Sequence, residues 1–406
     1  MYHRQLEDFG MQLQKAAEAT MITDRKSNYA CVSVLLLHWE NESFDIIQRV
    51  YDLGHLLSKH YDFDVERWAI PISKKSHQEV YRKMYGLVEN DNQMHLRIVF
   101  YTGPACLSEQ GELIWMARGG DSRQSRPSRV RWPAIQSLLE EAPVDVLILL
   151  DCCRTATSSF DGGNGVTSLI AACSFNTVAC RTSQNSFIEV LIRQLKIMRS
   201  LPSFSSAYLY SRIYQDIQSQ PKPADYAPRE LPVHLVLSQD PAYPRDILLS
   251  ANHHKDTFRR GRRSDQASVS SDECLSRCPT PTRKGPWDVA DDAGRLPVPQ
   301  KASSPRHPRL LLSFRLLEDM DPEALRVDLF SHWLGSLPIP VDSVKVEAGF
   351  SSDSTVLLVS VPVAMLPFLP RDPSVTVIGT IHSSNLLVRP KPDSTAVEKQ
   401  PLEFKY

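Results

Sequence analysis

No run of about 18 apolar residues, the length a helix needs to cross a bilayer, occurs anywhere in the 406 positions of this chain. The opening Met-Tyr-His-Arg-Gln-Leu-Glu-Asp-Phe also lacks the apolar core of a secretory signal. Excess charge is missing too. The 46 Lys and Arg against 47 Asp and Glu leave a formal net charge of −1, which offers no electrostatic footprint for nucleic acid or an anionic membrane. The eight cysteines are scattered, as reduced thiols are, and form no disulfide framework. Cys274 and Cys278 are without a second pair or a histidine doublet, so they make no zinc site. No metal set and no cofactor motif is legible. The expectation is a soluble, cytoplasmic chain with no membrane partner, nucleic acid disfavoured and an oligomeric state that the sequence leaves unstated.

What is present is organised around Val144 to Thr155, V-D-V-L-I-L-L-D-C-C-R-T. Val146 to Leu150 is apolar without alternation, which predicts a strand buried on both faces of a parallel sheet. It stops at Asp151, Cys152 and Cys153, and the carboxyl ends of central strands are where open α/β sheets place ligands and catalytic groups. Two readings of the cysteines stand side by side: a nucleophile with Arg154 beside it, or small residues packed at a strand end.

Around this strand the chain alternates. Strands are predicted at 30–37, 63–70, 95–101, 168–173 and 232–237, and helices at 45–61, 77–88, 132–141, 186–198 and 205–218. Such alternation specifies βαβ units and a mostly parallel, six-stranded α/β sheet with helices on both faces. Residues 119–131 read as an exposed, Arg-rich loop and 158–165 as a Gly-rich one. Residues 2–20 form an amphipathic helix, with Leu6, Phe9, Leu13 and Ala16 or Ala17 on one stripe, expected to pack on the domain that follows.

The two strand ends, Tyr101-Thr102-Gly103-Pro104-Ala105 and Asp151-Cys152-Cys153, resemble those of caspase and metacaspase cysteine peptidases, whose strands end Tyr-x-Gly-His-Gly and Asp-x-Cys. The resemblance covers roughly Asn28 to Leu249. It is strongest to fungal proteins with such a domain, in which segments like Leu169-Ile170-Ala171-Ala172-Cys173, Asn185-Ser186-Phe187 and Pro232-Val233-His234-Leu235-Val236-Leu237 recur. It implies Cys153 as nucleophile and Asp151 as the floor of a pocket for Arg or Lys. The position of the family's catalytic histidine is occupied by Pro104, which has neither a titratable group nor a backbone N–H. His95 begins its strand, about 30 Å from position 104. His38, at the end of the first strand, is the alternative base, since all carboxyl ends of a parallel sheet share one edge. Each has a plainer reading: Asp151 as a carboxylate capping nearby amides, His38 as a packed side chain.

Three functions follow from these residues. One is a pseudopeptidase that binds a protein or peptide partner in the former substrate groove. Another is an active cysteine endopeptidase that cuts after Arg or Lys, with Cys153 served by His38. The last is an α/β protein without peptidase ancestry. Residues 252–308, rich in Ser, Pro, Arg and Asp, read as a disordered linker. Its Arg259-Arg260-Gly261-Arg262-Arg263-Ser264 is a candidate nuclear address or kinase site, competing with a solvated linker. The remainder divides into a small α+β domain at 309–388 and a tail at 389–406. In that domain strand 310–316, helix 322–335, strands 342–349 and 355–361, helix 362–369 and strand 374–381 spell a ferredoxin-like βαββαβ order, without the aromatic signature of an RNA-binding sheet.

Overall fold

The structure, a computed structural model, describes residues 6–21, 29–89, 94–118, 128–152, 165–172, 186–219, 231–240, 245–251, 309–316, 344–351, 355–369 and 372–381. The chain divides into two compact units, 22–306 and a second made of 1–21 with 307–406.

In chain order the elements to residue 249 are α1 (Leu6–Met21), β1 (Cys31–Trp39), α2 (Phe44–Tyr61), β2 (Asp64–Ile70), α3 (Ser76–Val88) and β3 (His95–Thr102). Then come β4 (Ala105–Leu107), β5 (Leu113–Met116), β6 (Arg129–Arg131), α4 (Trp132–Glu140), β7 (Asp145–Asp151) and β8 (Thr167–Ala171). The last are α5 (Phe187–Met198), β9 (Phe204–Ser205), α6 (Ser206–Ser219), β10 (Val233–Ser238) and β11 (Leu248–Leu249). The central sheet has the order β10-β8-β7-β3-β1-β2. Its first five strands in sequence run parallel and β10 runs antiparallel to β8. The protein is thus an α/β fold with a mixed, mostly parallel sheet of six strands.

Burial follows position in the sheet. The interior strands β3 and β7 are apolar and buried almost throughout, whereas the edge strand β2 exposes Asp64, Glu66 and Arg67 and so resists pairing with a further strand. On one face Leu37, Tyr101, Ile148 and Leu150 pack with Val80 and Met84 of α3 and Ile135 and Leu139 of α4. α2 contacts β1 and α5, and α5 contacts α6. Just before β8, Gly165 passes beside the start of β7, where a Cβ would strike the Val144 carbonyl; only glycine fits so close a backbone approach.

Two expectations need correction. Part of the Arg-rich stretch is a strand: β6 closes a three-stranded sheet, β4-β5-β6, with Val130 fully buried, while 119–127 lie outside the described residues. Strands of three or four residues carry too little periodicity to be seen in sequence. The N-terminal helix belongs to the other unit. α1 buries Phe9, Leu13, Ala16 and Ala17, and the Phe9 ring meets that of Phe314 with centroids 3.6 Å apart.

Phe314 lies on β12 (Arg309–Leu316), which with β13 (Lys345–Ser351), β14 (Thr355–Pro362) and β15 (Val375–Ile381) forms an antiparallel sheet ordered β13-β14-β12-β15. β14 therefore separates the parallel pair β12 and β13, and β12 separates β14 and β15, the split arrangement expected of a βαββαβ chain. The short helix expected at 362–369 is a 3-10 helix, Val363–Phe368, with Pro367 inside it. Helix 322–335, the linker and the tail lie outside the described residues.

Candidate functional site

β1, β3 and β7 deliver their last residues to one edge of the central sheet. The register pairs Leu37 with Tyr101 and Thr102 with Asp151, so one step further along β1 His38 stands level with Thr102. Residues opposite one another across a sheet share a face. His38, Thr102 and Asp151 therefore form a row at the carboxyl edge, with His38 and Asp151 about 10 Å apart between Cα atoms, two strand spacings. Their neighbours Leu37, Tyr101 and Leu150 belong to the core of the opposite face.

The row is polar, and two of its three members are bonded to each other. The Thr102 hydroxyl donates to Asp151 Oδ2 at 3.2 Å, which fixes a half-buried carboxylate at the rim. His38 is 8% exposed, and its Nδ1 lies 2.9 Å from the Trp39 carbonyl. A carbonyl only accepts, so Nδ1 is the donor and the lone pair of a neutral ring sits on Nε2. Just past β1, Glu42 is held by the Arg118 guanidinium at 2.8 Å.

Behind Thr102 the edge is closed by aromatic rings. Trp115 of β5 stacks on Tyr101 with centroids 3.8 Å apart and on Trp132 at 5.0 Å. Trp39 Nε1 donates to the Tyr101 hydroxyl at 3.0 Å. That hydroxyl donates to the Pro104 carbonyl at 2.9 Å, which also receives the Met116 amide at 2.9 Å. Trp39, Tyr101, Trp115 and Trp132 are all fully buried. Gly103 is required at the bend, because a Cβ would lie 2.7 Å from the Tyr101 hydroxyl oxygen. The turn that follows β3 is thus pinned to the core through a carbonyl, and its proline presents no acid or base.

Asp151 and His38 lie at the expected edge. Cys152 is 1% exposed and part of the hydrophobic core, so packing accounts for this one of the two thiols; Cys153 and Arg154 lie outside the described residues. His95 stands at the far end of β3, paired with Cys31. Thr102 was missed. Its signal was available, since a hydroxyl that ends an apolar strand next to a strand ending in Asp satisfies the same carboxyl-edge rule. Among the described residues no group of three His, Cys, Asp or Glu is placed to hold a metal ion, and no helix is long and apolar enough to cross a membrane.

Sequence reasoning also missed two buried polar clusters away from the row. At the amino edge Asp145 accepts from Tyr29, from both Arg245 nitrogens and from the Val166 amide. Burial first, then the neighbouring carboxylate, holds the Tyr29 hydroxyl well above its usual range. The second cluster joins β8, β10 and α6: His234 Nε2 lies 2.8 Å from Ser168 Oγ, and Ser206 donates to Asp246, whose other oxygen takes the Ala207 amide at 2.8 Å. Burial lowers His234 to about 3 and raises Asp246 to about 6. Both are fully enclosed, which suits a structural role.

No family model matches the chain, and no curated protein matches it. Solved structures similar to it include caspase-1 of Spodoptera frugiperda, at 12% identity over 55% of this chain and 93% of that one with a TM-score of 0.39. The Drosophila initiator caspase Dronc is 9% identical over 54% and 84%, with a TM-score of 0.38. A protein of Geobacter sulfurreducens is 12% identical over 53% and 97%, also at 0.38. Similarity at this level identifies neither an activity nor a substrate.

Proposed function

We propose that the chain is a caspase-like pseudopeptidase, a binding module that holds a basic side chain of a protein or peptide partner against Asp151 and does not cut it. The observation that carries this reading is the turn after β3. Pro104 is fastened by its carbonyl to Tyr101 and Met116 in a frame of buried indoles, so the turn supplies no base to Cys153. A thiol of ordinary pKa near 8.5 is only a few per cent thiolate at neutral pH. Asp151, steadied by Thr102, keeps what recognition needs. A partly buried carboxylate attracts Arg or Lys and repels Asp or Glu by Coulomb's law.

A second reading is supported by His38. Its tautomer leaves Nε2 as an acceptor on the face and at the edge where Asp151 lies, which is what an active endopeptidase specific for Arg or Lys would require of a displaced base. Peptides ending in Arg, Lys or Asp and a fluorogenic group separate the two. The first reading expects silence from the wild type and Cys153→Ala, with activity emerging in Pro104→His. Cleavage by the wild type after Arg or Lys, lost in both Cys153→Ala and His38→Ala, establishes the second.

A further inference from the structure

Five Asp, Glu, Lys or Arg side chains are buried among the described residues: Glu42, Arg97, Glu140, Asp145 and Asp246. The four carboxylates each receive a donor: the Arg118 guanidinium, the Gln136 side-chain amide, Arg245 with Tyr29, and the Ser206 hydroxyl, in that order. Arg97, 5% exposed, is bonded to no carboxylate. Its Nη1 donates to Ser33 Oγ at 2.7 Å and its Nη2 meets His95 Nδ1 at 3.4 Å, while Nε, itself buried, has no acceptor. A guanidinium only donates and keeps its charge in proteins, so Nδ1 is the acceptor and the His95 ring is neutral. A buried charge is ordinarily paired. Asp145 stands opposite Leu96, hence on the other face, and Asp64, opposite Ser33, is exposed two strands away.

We propose that Arg97 anchors an anion site at the amino edge of the central sheet, taking the carboxylate or phosphate group of a small ligand in two bonds on the Nε–Nη2 edge of its guanidinium. Such groups fit a guanidinium edge as a fork, and this edge holds only the long approach of His95. The register builds the mouth. Cys31 stands opposite His95 and Ser33 opposite Arg97, so the four side chains share one face. Cys31, Ser33 and His95 are half-buried, and Cys31 Sγ lies 4.0 Å from Ser33 Oγ. Leu35 and Val99, next along the same face, belong to the core and close the floor. Ser33 steadies the guanidinium through Nη1, and His95 is the acceptor that the ligand replaces at Nη2. Thr102 is five residues further along β3, about 16 Å away, so this site is separate from the Asp151 edge.

Isothermal titration calorimetry of the full chain with inorganic phosphate, and separately with acetate, at an ionic strength held constant with chloride, should give a dissociation constant on the order of 1 mM for at least one of them. The tighter of the two names the ligand class, a phosphate ester or a carboxylate. Arg97→Met keeps an apolar stem and removes the charge. It should bind at least tenfold more weakly, yet without added anion its urea midpoint should be no lower than that of the wild type, because an unpaired buried charge is gone. His95→Ala, which clears the competing acceptor from Nη2, should bind as tightly as the wild type or more so. The proposal is overturned by the absence of binding of either anion up to about 10 mM, by equal binding in Arg97→Met, or by a tenfold loss in His95→Ala. An Arg97→Met chain markedly less stable than the wild type without added anion also overturns it, since Arg97 would then serve the fold alone.

Discussion

Asp145 and Asp151 stand at opposite ends of one strand, β7, and are treated in opposite ways. Asp145 is 3% exposed and enclosed by donors: the Tyr29 hydroxyl at 2.5 Å, the Arg245 guanidinium in two bonds at 2.5 and 2.6 Å, and the Val166 amide at 2.9 Å. The bidentate guanidinium neutralises it, and the Asp145 carboxylate in turn raises Arg245, chiefly through those hydrogen bonds. Asp151 is half-buried at the rim, positioned by a neutral hydroxyl. The amino edge uses its carboxylate to close the fold: it ties the start of β1, the start of β7 and the segment before β11. The carboxyl edge leaves its carboxylate half-buried, with the Thr102 hydroxyl among its partners. Residue type alone does not separate the two ends; burial does, with Asp145 enclosed and Asp151 half-buried.

The sharpest way to break the contrast is Asp145→Ala. It should cost about 3 kcal/mol, somewhat less than a fully buried ion pair because Arg245 is half exposed, and leave Arg245 and Tyr29 without their acceptor. Urea unfolding of the 22–306 unit checks this, and a loss below about 1 kcal/mol would place Asp145 with Asp151 as dispensable for stability.

Asp246, enclosed like Asp145 but held by hydroxyl and amide groups, adds a pH test through its neighbour His234. His234 titrates near 3 in the fold and near 6.5 unfolded, so the unfolded chain binds more protons between those values and stability is lost as pH falls from 6.5 towards 3. Asp246, at about 6 folded, acts in the opposite sense, gaining stability as pH falls from 6 towards 4. His234→Gln removes only the first effect. Relative to the wild type, the variant should become more stable on acidification by up to about 1.4 kcal/mol per pH unit. Melting curves from pH 7 to pH 4 read this directly, and a variant that tracks the wild type would refute the assignment.

At the open end Asp151→Asn should change stability by no more than about 0.5 kcal/mol while weakening binding of Arg- or Lys-containing peptides about tenfold. Thr102→Val, which keeps shape and removes the donor, should weaken it by only a few-fold, as expected of a positioning residue. Fluorescence anisotropy of labelled peptides measures both. If Asp151→Asn unfolds the protein as readily as Asp145→Ala, the distinction between the two ends fails.

Much of this architecture was legible where the physics is local. Continuous apolar runs marked β3 and β7, alternation of strands and helices gave the α/β class, and Tyr101 to Ala105 and Asp151 to Cys153 located the edge. What escaped was long-range. The bond from Tyr29 to Asp145 spans 116 positions and that from Arg245 spans 100. The Thr102 bond to Asp151 depends on the β3–β7 register, which no single segment encodes. α1 reads as amphipathic wherever it docks, and its partner Phe314 lies some 300 residues away. The aromatic wall was hidden for another reason: Trp115 sits on a four-residue strand, too short for a pattern.

The most direct test of the central claim is the binding of matched Arg, Lys and Asp peptides to the wild type, followed by mass spectrometry of the recovered peptides. The account expects the Arg and Lys peptides to bind at least tenfold more tightly than the Asp peptide and to return intact. Equal binding of all three, or return of the basic peptides as fragments cut after Arg or Lys, would contradict it.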